Sequence, residues 1–328
     1  MLKKLLQQAR AQAASDLHLT VNCQPMLRVD GELFSLAEPI TSEVMHQTIK
    51  NSLTSQQFQQ LETKGEVDFA FEDKELGRFR INVFKANGDY AMSVRLIKEV
   101  IPSCDELGLP PVVQKFIEAK QGLFLATGET GCGKSTTLAA LVQKLHTMRS
   151  AHIITLEEPI EFTYGPGLCM INQREIGGDT ASFASGLKSA LREDPDIILV
   201  GELRDREALE VALQAAETGH LVLSTLHTRD AVTSINRILD MLPDLREQTR
   251  TQLADSLIGI VSQKLYKRRD QPGRIAALEV LVNNDAIKNL IREGRTHQLY
   301  SYLQTCRNEG MFTMTESIAR LKAQKIIV

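Results

Sequence analysis

The sequence predicts an α/β protein in two parts, a small α+β domain at residues 1–100 and a larger domain on a mainly parallel sheet at residues 112–328. Three observations predict it. Short alternating strands and turn signals fill the first part, whereas strands and helices alternate in the second. Between them, Ile101-Pro-Ser-Cys-Asp-Glu-Leu-Gly-Leu-Pro-Pro111 collects three prolines and a glycine, the composition of a linker spanning 101–111. A chain of 328 residues is long enough to bury two cores.

The first part opens with Met1–Ala14, polar and apolar at helical spacing. Asp16-Leu-His-Leu-Thr20 then alternates as a strand. Met26–Val29 and Glu32–Ser35 flank Asp30-Gly31, a two-residue hairpin signal. Helical segments follow at Ser42–Asn51 and Ser55–Thr63. Val67–Phe71, Arg78–Phe84 and Ala91–Ile97 read as strands, the last two separated by the turn-like Lys85-Ala-Asn-Gly-Asp89. His18 reads as a hydrogen-bonded structural histidine more readily than as a ligand.

In the second part the strand candidates are Gly122–Thr127, His152–Leu156, Asp196–Val200 and His220–Thr225. Thr137–His146 and Asp205–Glu217 read as helices, the latter amphipathic and closed by Gly219. After residue 230 the pattern reads as largely helical.

Between the first of these strands and its helix lies Gly128-Glu129-Thr130-Gly131-Cys132-Gly133-Lys134-Ser135, followed by Thr136, a full G-x-x-x-x-G-K-[ST] phosphate loop. Glycines let successive backbone N–H groups converge on phosphate oxygens at a helix N-terminus. Lys134 adds a charge at the β/γ-phosphates, and the Ser135 hydroxyl suits Mg²⁺. Cys132 stands beside Lys134 where helix dipole and cation lower a thiol pKa, but it reads more readily as a small residue that merely fits.

Hydrolysis needs a carboxylate at the γ-phosphate end. Asp196-Ile-Ile-Leu-Val-Gly-Glu202 places Glu202 at the carboxyl end of a buried strand, where it can orient or deprotonate water. Glu157, Glu158 and Glu161 follow another strand and suit Mg²⁺ held through water, or else a charged surface turn. Thr218-Gly-His-Leu-Val-Leu-Ser-Thr-Leu-His-Thr228 puts His220 and His227 at opposite ends of one strand. His227, at the carboxyl end, is the expected γ-phosphate sensor.

Composition narrows the partners. The net charge of −3 provides no global basic field for nucleic acid or an anionic membrane, and the local cluster Lys264–Arg274 reads as a solvated loop. Five scattered cysteines without a C-x-x-C pair disfavour a zinc knuckle or disulfide framework and suggest a reducing compartment. No apolar run reaches the length of a membrane span, so a cytoplasmic protein that meets the inner membrane through partners, without inserting, is expected.

Taken in order, the phosphate loop, Thr155-Leu-Glu-Glu-Pro-Ile-Glu161, Leu191–Asp205 and Thr218–Thr228 resemble the Walker A, Asp-box, Walker B and His-box series of the type II/IV secretion ATPases. Ala14-Ser-Asp-Leu-His-Leu19 and Arg28-Val-Asp-Gly31 are similar to N-terminal motifs of the pilus-retraction, or twitching-motility (PilT-like), branch. Ala286-Ile-Lys-Asn-Leu-Ile-Arg-Glu293 is similar to its C-terminal motif. The resemblance covers nearly the whole chain. It implies a PAS-like domain on a RecA-like ATPase domain, a homo-hexameric ring with ATP and Mg²⁺ at subunit boundaries, and an inner-membrane pilus or secretion platform as partner. The implied work is retraction or disassembly of a type IV pilus or pseudopilus.

The resemblance also implies that arginines of the first domain reach the phosphates, and Arg80 and Arg95 stand on the matching strands; Arg78 reads as solvated. Guanidinium groups there stabilise charge on the transferring phosphoryl group and tie hydrolysis to domain closure. Four positions depart from the family pattern: Glu158 replaces Asp, Cys132 replaces Ser, Glu129 replaces Pro and Lys288 replaces Arg.

Two other classes share parts of this pattern. A RecA-like nucleic-acid motor is disfavoured by acidic net charge, absence of Trp and 5% aromatic content, and stimulation of ATPase by DNA or RNA would restore it. A nucleotide-binding scaffold without turnover is disfavoured by intact Lys134, Ser135 and Glu202.

Overall fold

The computed structural model describes residues 1–36, 38–97 and 100–328. The chain forms two compact units, Met1–Val100 and Ile101–Val328. In chain order the first unit contains α1 (Leu2–Ala11), β1 (Asp16–Thr20), β2 (Met26–Val29), β3 (Glu32–Ser35), α2 (Ser42–Ser52), α3 (Ser55–Lys64), β4 (Glu66–Asp73), β5 (Gly77–Ala86) and β6 (Asp89–Leu96). Its strands form an antiparallel sheet in the order β3-β2-β1-β6-β5-β4.

Alternation decides which face is covered. Leu17, Leu19, Ile81, Val83, Met92 and Val94 are buried and share a core with Leu5 and Leu6 of α1, Met45 and Ile49 of α2 and Leu61 of α3. The intervening positions form a polar face, where register sets Arg28, Asp16, Arg95 and Arg80 in one cross-strand row. Two hairpins hold this register. Asp30-Gly31 has φ of 49° and 92°, and Asn87-Gly88 has 53° and 82°; positive φ at both turn residues matches the right-handed twist of the strands.

The second unit runs α4 (Pro111–Phe116), β7 (Gly122–Thr127), α5 (Lys134–Met148), β8 (His152–Glu157), β9 (Met170–Glu175), α6 (Phe183–Ala190), β10 (Ile197–Val200) and α7 (Arg206–Glu217). It continues with β11 (Leu221–Leu226), α8 (Ala231–Met241), α9 (Arg246–Ser256), β12 (Leu257–Lys267), β13 (Arg274–Val282), α10 (Asp285–Arg292), α11 (Leu299–Thr305) and α12 (Met314–Ala323). The sheet order is β13-β12-β7-β11-β10-β8-β9, parallel except for β13. Helices cover both faces, which is why β7, β10 and β11 are buried throughout and mainly apolar instead of alternating. Cys104 and Leu109, from the proline-rich stretch, are buried in the second unit's core beside Ile117.

The four expected strands are β7, β8, β10 and β11, and three others were not foreseen. After residue 230 helices α8 to α12 predominate, as the pattern leads one to expect, but β12 and β13 add an unforeseen long hairpin against β7. Helix α9 ends at Ser256 and β12 starts at Leu257. With no loop between them, the apolar run Leu257-Ile-Gly-Ile-Val261 lacks the alternation of a half-buried strand and reads as more helix. The basic cluster Lys264–Arg274 sits at this hairpin's end, where Arg268 pairs with Asp270 at 2.6 Å.

Register levels the carboxyl ends of the central strands. Thr127 of β7 lies opposite Leu226 of β11, Ser224 opposite Val200 of β10, and Val200 opposite Leu156 of β8. The connection from β7 through α5 to β8 passes over β11 and β10, which makes a topological switch point at this edge.

Candidate active site

The phosphate loop leaves β7 at this switch point. Gly128, Gly131 and Gly133 have φ of 142°, 78° and 95°. At Gly128 even a Cβ is excluded, since it would lie 2.5 Å from the Gln263 carbonyl oxygen and 2.6 Å from Cys132 Sγ. Strand β12 braces this turn from beneath. Thr127 Oγ1 donates to Ser262 Oγ at 2.9 Å, and Gln263 Nε2 donates to Thr137 Oγ1 at 2.8 Å. Among the described residues no side chain caps α5, whose N-terminal N–H groups therefore suit an anion.

Lys134 is buried and folds back on the loop, donating to Gly128 O at 2.7 Å and Glu129 O at 3.0 Å. Burial lowers its pKa, opposed by Cys132, Glu202 and Glu161. Ser135 is exposed at the start of α5. Of the two readings of Cys132 the structure favours the small residue that fits: its side chain is buried under Gly128, and burial pushes the thiol up despite the Lys134 charge. It fills space beneath the loop.

Sheet order puts β11 between β7 and β10, and so puts His227 between the loop and Glu202. His227 Nδ1 lies 3.3 Å from Thr130 Oγ1, and its Nε2 lies 3.3 Å from Glu202 Oε1. With Nε2–H donating to the carboxylate, Nδ1 accepts from the Thr130 hydroxyl. Glu202 Oε2 accepts from Arg204 Nε at 2.7 Å, and the other arm of Arg204 pairs with Glu158. One row thus connects phosphate loop, imidazole, carboxylate and guanidinium.

Glu157 turns away from that row. Its Oε1 accepts from Thr155 Oγ1 at 2.6 Å and Gln173 Nε2 at 3.0 Å. Burial pushes its pKa up and outweighs these bonds, which favour the ionised form. The unfolded chain therefore releases this proton first as pH rises. Its contribution to stability is full below the ordinary carboxylate pKa and is lost as pH passes through the raised value. Glu157→Gln is expected to flatten the fall in melting temperature upward from about pH 4.3; an unchanged slope in thermal melts would contradict this.

Arg80 and Arg95 belong to the first unit, directly opposite one another on β5 and β6. Arg80 forks onto Asp68, with Nε 2.9 Å and Nη2 2.6 Å from Oδ2, and Arg95 Nε donates to Asp16 Oδ1 at 3.0 Å. Arg78 lies opposite Glu72. The remaining candidate histidines bond within their own units: His18 Nδ1 is 3.2 Å from Ser93 Oγ on the neighbouring strand, and His220 Nδ1 is 3.1 Å from Ala215 O.

Sequence reasoning missed Arg204, Gln173 and the bracing pair Ser262 and Gln263. Arg204 follows Glu202 by two residues, a spacing that signals a neighbour at a strand end; Gln173 carries no such signal. Among the described residues no group of three or more His, Cys, Asp or Glu can cage a metal ion. The exposed Ser135 hydroxyl at the start of α5 is a hard oxygen donor of the kind Mg²⁺ takes.

Fold and site together define a P-loop nucleotide-binding protein of the α/β class. The chain belongs to the family described as "Type II/IV secretion system protein", whose model matches residues 1–326. It is 42% identical to the "Type IV pilus retractation ATPase PilT" of Pseudomonas aeruginosa, over 99% of this chain and 95% of that one. It is 43% identical to a "Twitching motility protein" of Neisseria gonorrhoeae, covering 93% of this chain and 82% of the relative. Its structure is similar to the "Crystal Structure of the Pilus Retraction Motor PilT and Bound ADP", with a TM-score of 0.91 and 41% identity over 99% of this chain and 94% of that one.

Proposed function

We propose that this chain is a motor ATPase whose ring-forming assembly retracts or disassembles a type IV pilus or related pseudopilus, acting on an inner-membrane platform protein from the cytoplasmic side. The observation that carries the reading is the row Thr130, His227, Glu202, which joins a phosphate loop to a positioned carboxylate. Similarity to the pilus-retraction proteins supports the motor assignment. No described helix is long and apolar enough to cross a membrane.

The chemistry follows from where these atoms stand. Backbone N–H groups of Gly131–Thr136 cradle the polyphosphate, and Lys134 exchanges its two carbonyl partners for β/γ-phosphate oxygens. Ser135 would hold Mg²⁺, Glu157 would meet it only through water, and the ion would supply neutralisation of phosphate charge. Glu202 orients the attacking water and accepts its proton. His227 reports the γ-phosphate end to Glu202, while Arg204 holds the carboxylate's other oxygen. Family resemblance assigns Arg80 and Arg95 the stabilisation of charge on the transferring phosphoryl group. Each Arg→Ala change is expected to cut turnover about 10²-fold with little change in ATP affinity; turnover that stays within twofold would remove the arginines from the site.

Surface pili in the source cell test the biological half. Deleting this chain is expected to let pili accumulate and to abolish twitching, with rescue by wild type but not by Glu202→Gln. Equal rescue by both would contradict an ATP-driven retraction motor.

A further inference from the structure

Strand β13 carries a buried acid that the hydrolytic row does not use. Glu279 is 3% exposed amid the apolar residues of Arg274–Val282. Its Oε1 accepts the Ala231 N–H at 3.0 Å, and its Oε2 accepts the Met314 N–H at 3.4 Å. These are the first residues of α8 and α12. Burial pushes the carboxyl up while both N–H bonds favour its ionised form. One carboxylate therefore serves two helix N-termini, whose partial positive charges compensate it.

Helix α8 starts four residues after His227, and the turn between them is fastened to the helix. Asp230 Oδ1 accepts from the Thr233 N–H at 2.7 Å, and Thr228 Oγ1 lies 2.6 Å from Ser234 Oγ. Whatever fixes the start of α8 thus fixes the imidazole that bridges Thr130 and Glu202. On the other side, β13 holds the lead into α12 at neighbouring points. Val280 and Phe312 exchange backbone hydrogen bonds at 3.0 and 3.3 Å, and the Leu278 N–H donates to Ser317 Oγ at 3.0 Å.

We propose that Glu279 is a positioning residue for hydrolysis: it anchors the start of α8 so that His227 stays on Glu202, and by sharing its carboxylate with α12 it makes the seating of the C-terminal helix part of the active-site geometry. The inference rests on Glu202 and His227 acting together in hydrolysis. It extends that pair to a residue on the far side of α8 and to a helix outside the nucleotide site.

Two variants separate positioning from plain structural support. Glu279→Gln keeps the volume but turns an N–H₂ group toward one of the two helix donors. Met314→Pro deletes the α12 donor, and Met314→Ala, which keeps the donor, is its control for loss of the side chain packed on Ala277, Leu321 and Ile327. Proline is tolerated at the first helical position, and Thr313, with φ −83° and ψ 160°, already has the conformation that precedes proline. Phosphate release from ATP is read for each purified full-length variant. Glu279→Gln is expected to lower kcat about tenfold with KM for ATP within about twofold, and Met314→Pro to lower kcat about threefold. In a His227→Ala background, Glu279→Gln is expected to add less than about twofold, because both changes remove the same contact. Unchanged kcat in Glu279→Gln or Met314→Pro, or full multiplication of the Glu279 and His227 effects, would overturn the proposal. Should Glu279→Gln fail to fold, Met314→Pro alone and combined with His227→Ala decides the matter by the same criteria. Absence of phosphate release by wild type would instead refute the hydrolytic reading.

Discussion

Glu202→Gln is expected to lower ATP turnover about 10²–10⁴-fold while ATP still binds. Glutamine keeps the length and its one oxygen still accepts from Arg204, while its N–H₂ group donates to His227 Nε2 once the imidazole takes its other tautomer and Nδ1–H donates to Thr130 Oγ1, so the row Thr130, His227, Glu202, Arg204 retains its shape. What disappears is the charge that polarises water and takes its proton. The loop and Lys134, which hold the phosphates, are untouched. Phosphate release and titration with a fluorescent ATP analogue check the two halves separately. Loss of binding along with turnover would mean that Glu202 supports the loop instead of the reaction.

Lys134→Ala is expected to damage binding as well as chemistry. The ammonium donates to Gly128 O and Glu129 O, and bound phosphates would take over those bonds. Losing a hydrogen bond to a charged partner costs about 1.5–3 kcal/mol, or about 10–150-fold in Kd for ATP. A further loss of about 10²-fold in kcat follows because the same charge faces the transferring phosphoryl group. The same titration measures the first effect, and saturating ATP in the turnover assay measures the second. An ATP affinity equal to wild type would contradict the placement of Lys134 on the phosphates.

The phosphate loop, Glu202 and His227 were legible because each lies at the end of an apolar strand with a distinctive polar successor. Their mutual geometry was not. The choice of His227 over His220 followed from strand direction, but the insertion of β11 between β7 and β10, which brings His227 between Thr130 and Glu202, is a matter of sheet order. No residue pattern states sheet order. Glu158 illustrates the same limit: in sequence it is one of three carboxylates around Pro159, and its pairing with Arg204, 46 residues further on, is set by the sheet.

Strands β12 and β13 were hidden for a different reason. Burial on both faces erases alternation, and direct continuation from α9 erases the boundary. One signal was present in Arg274-Ile-Ala-Ala-Leu-Glu-Val-Leu-Val282. A lone glutamate inside an apolar run must find donors, and Glu279 finds them on α8 and α12. At Cys132 two readings stood side by side in the sequence, and burial, which dominates for a thiol packed under Gly128, decides for the small residue that fits.

Single-turnover hydrolysis by the purified chain, with ATP limiting and Mg²⁺ present, tests the central claim most directly. The row linking loop to carboxylate predicts that wild type converts its bound ATP to ADP and phosphate, whereas Glu202→Gln retains bound ATP intact over the same interval. Wild-type protein that binds ATP and leaves it as intact as the variant does would contradict the account.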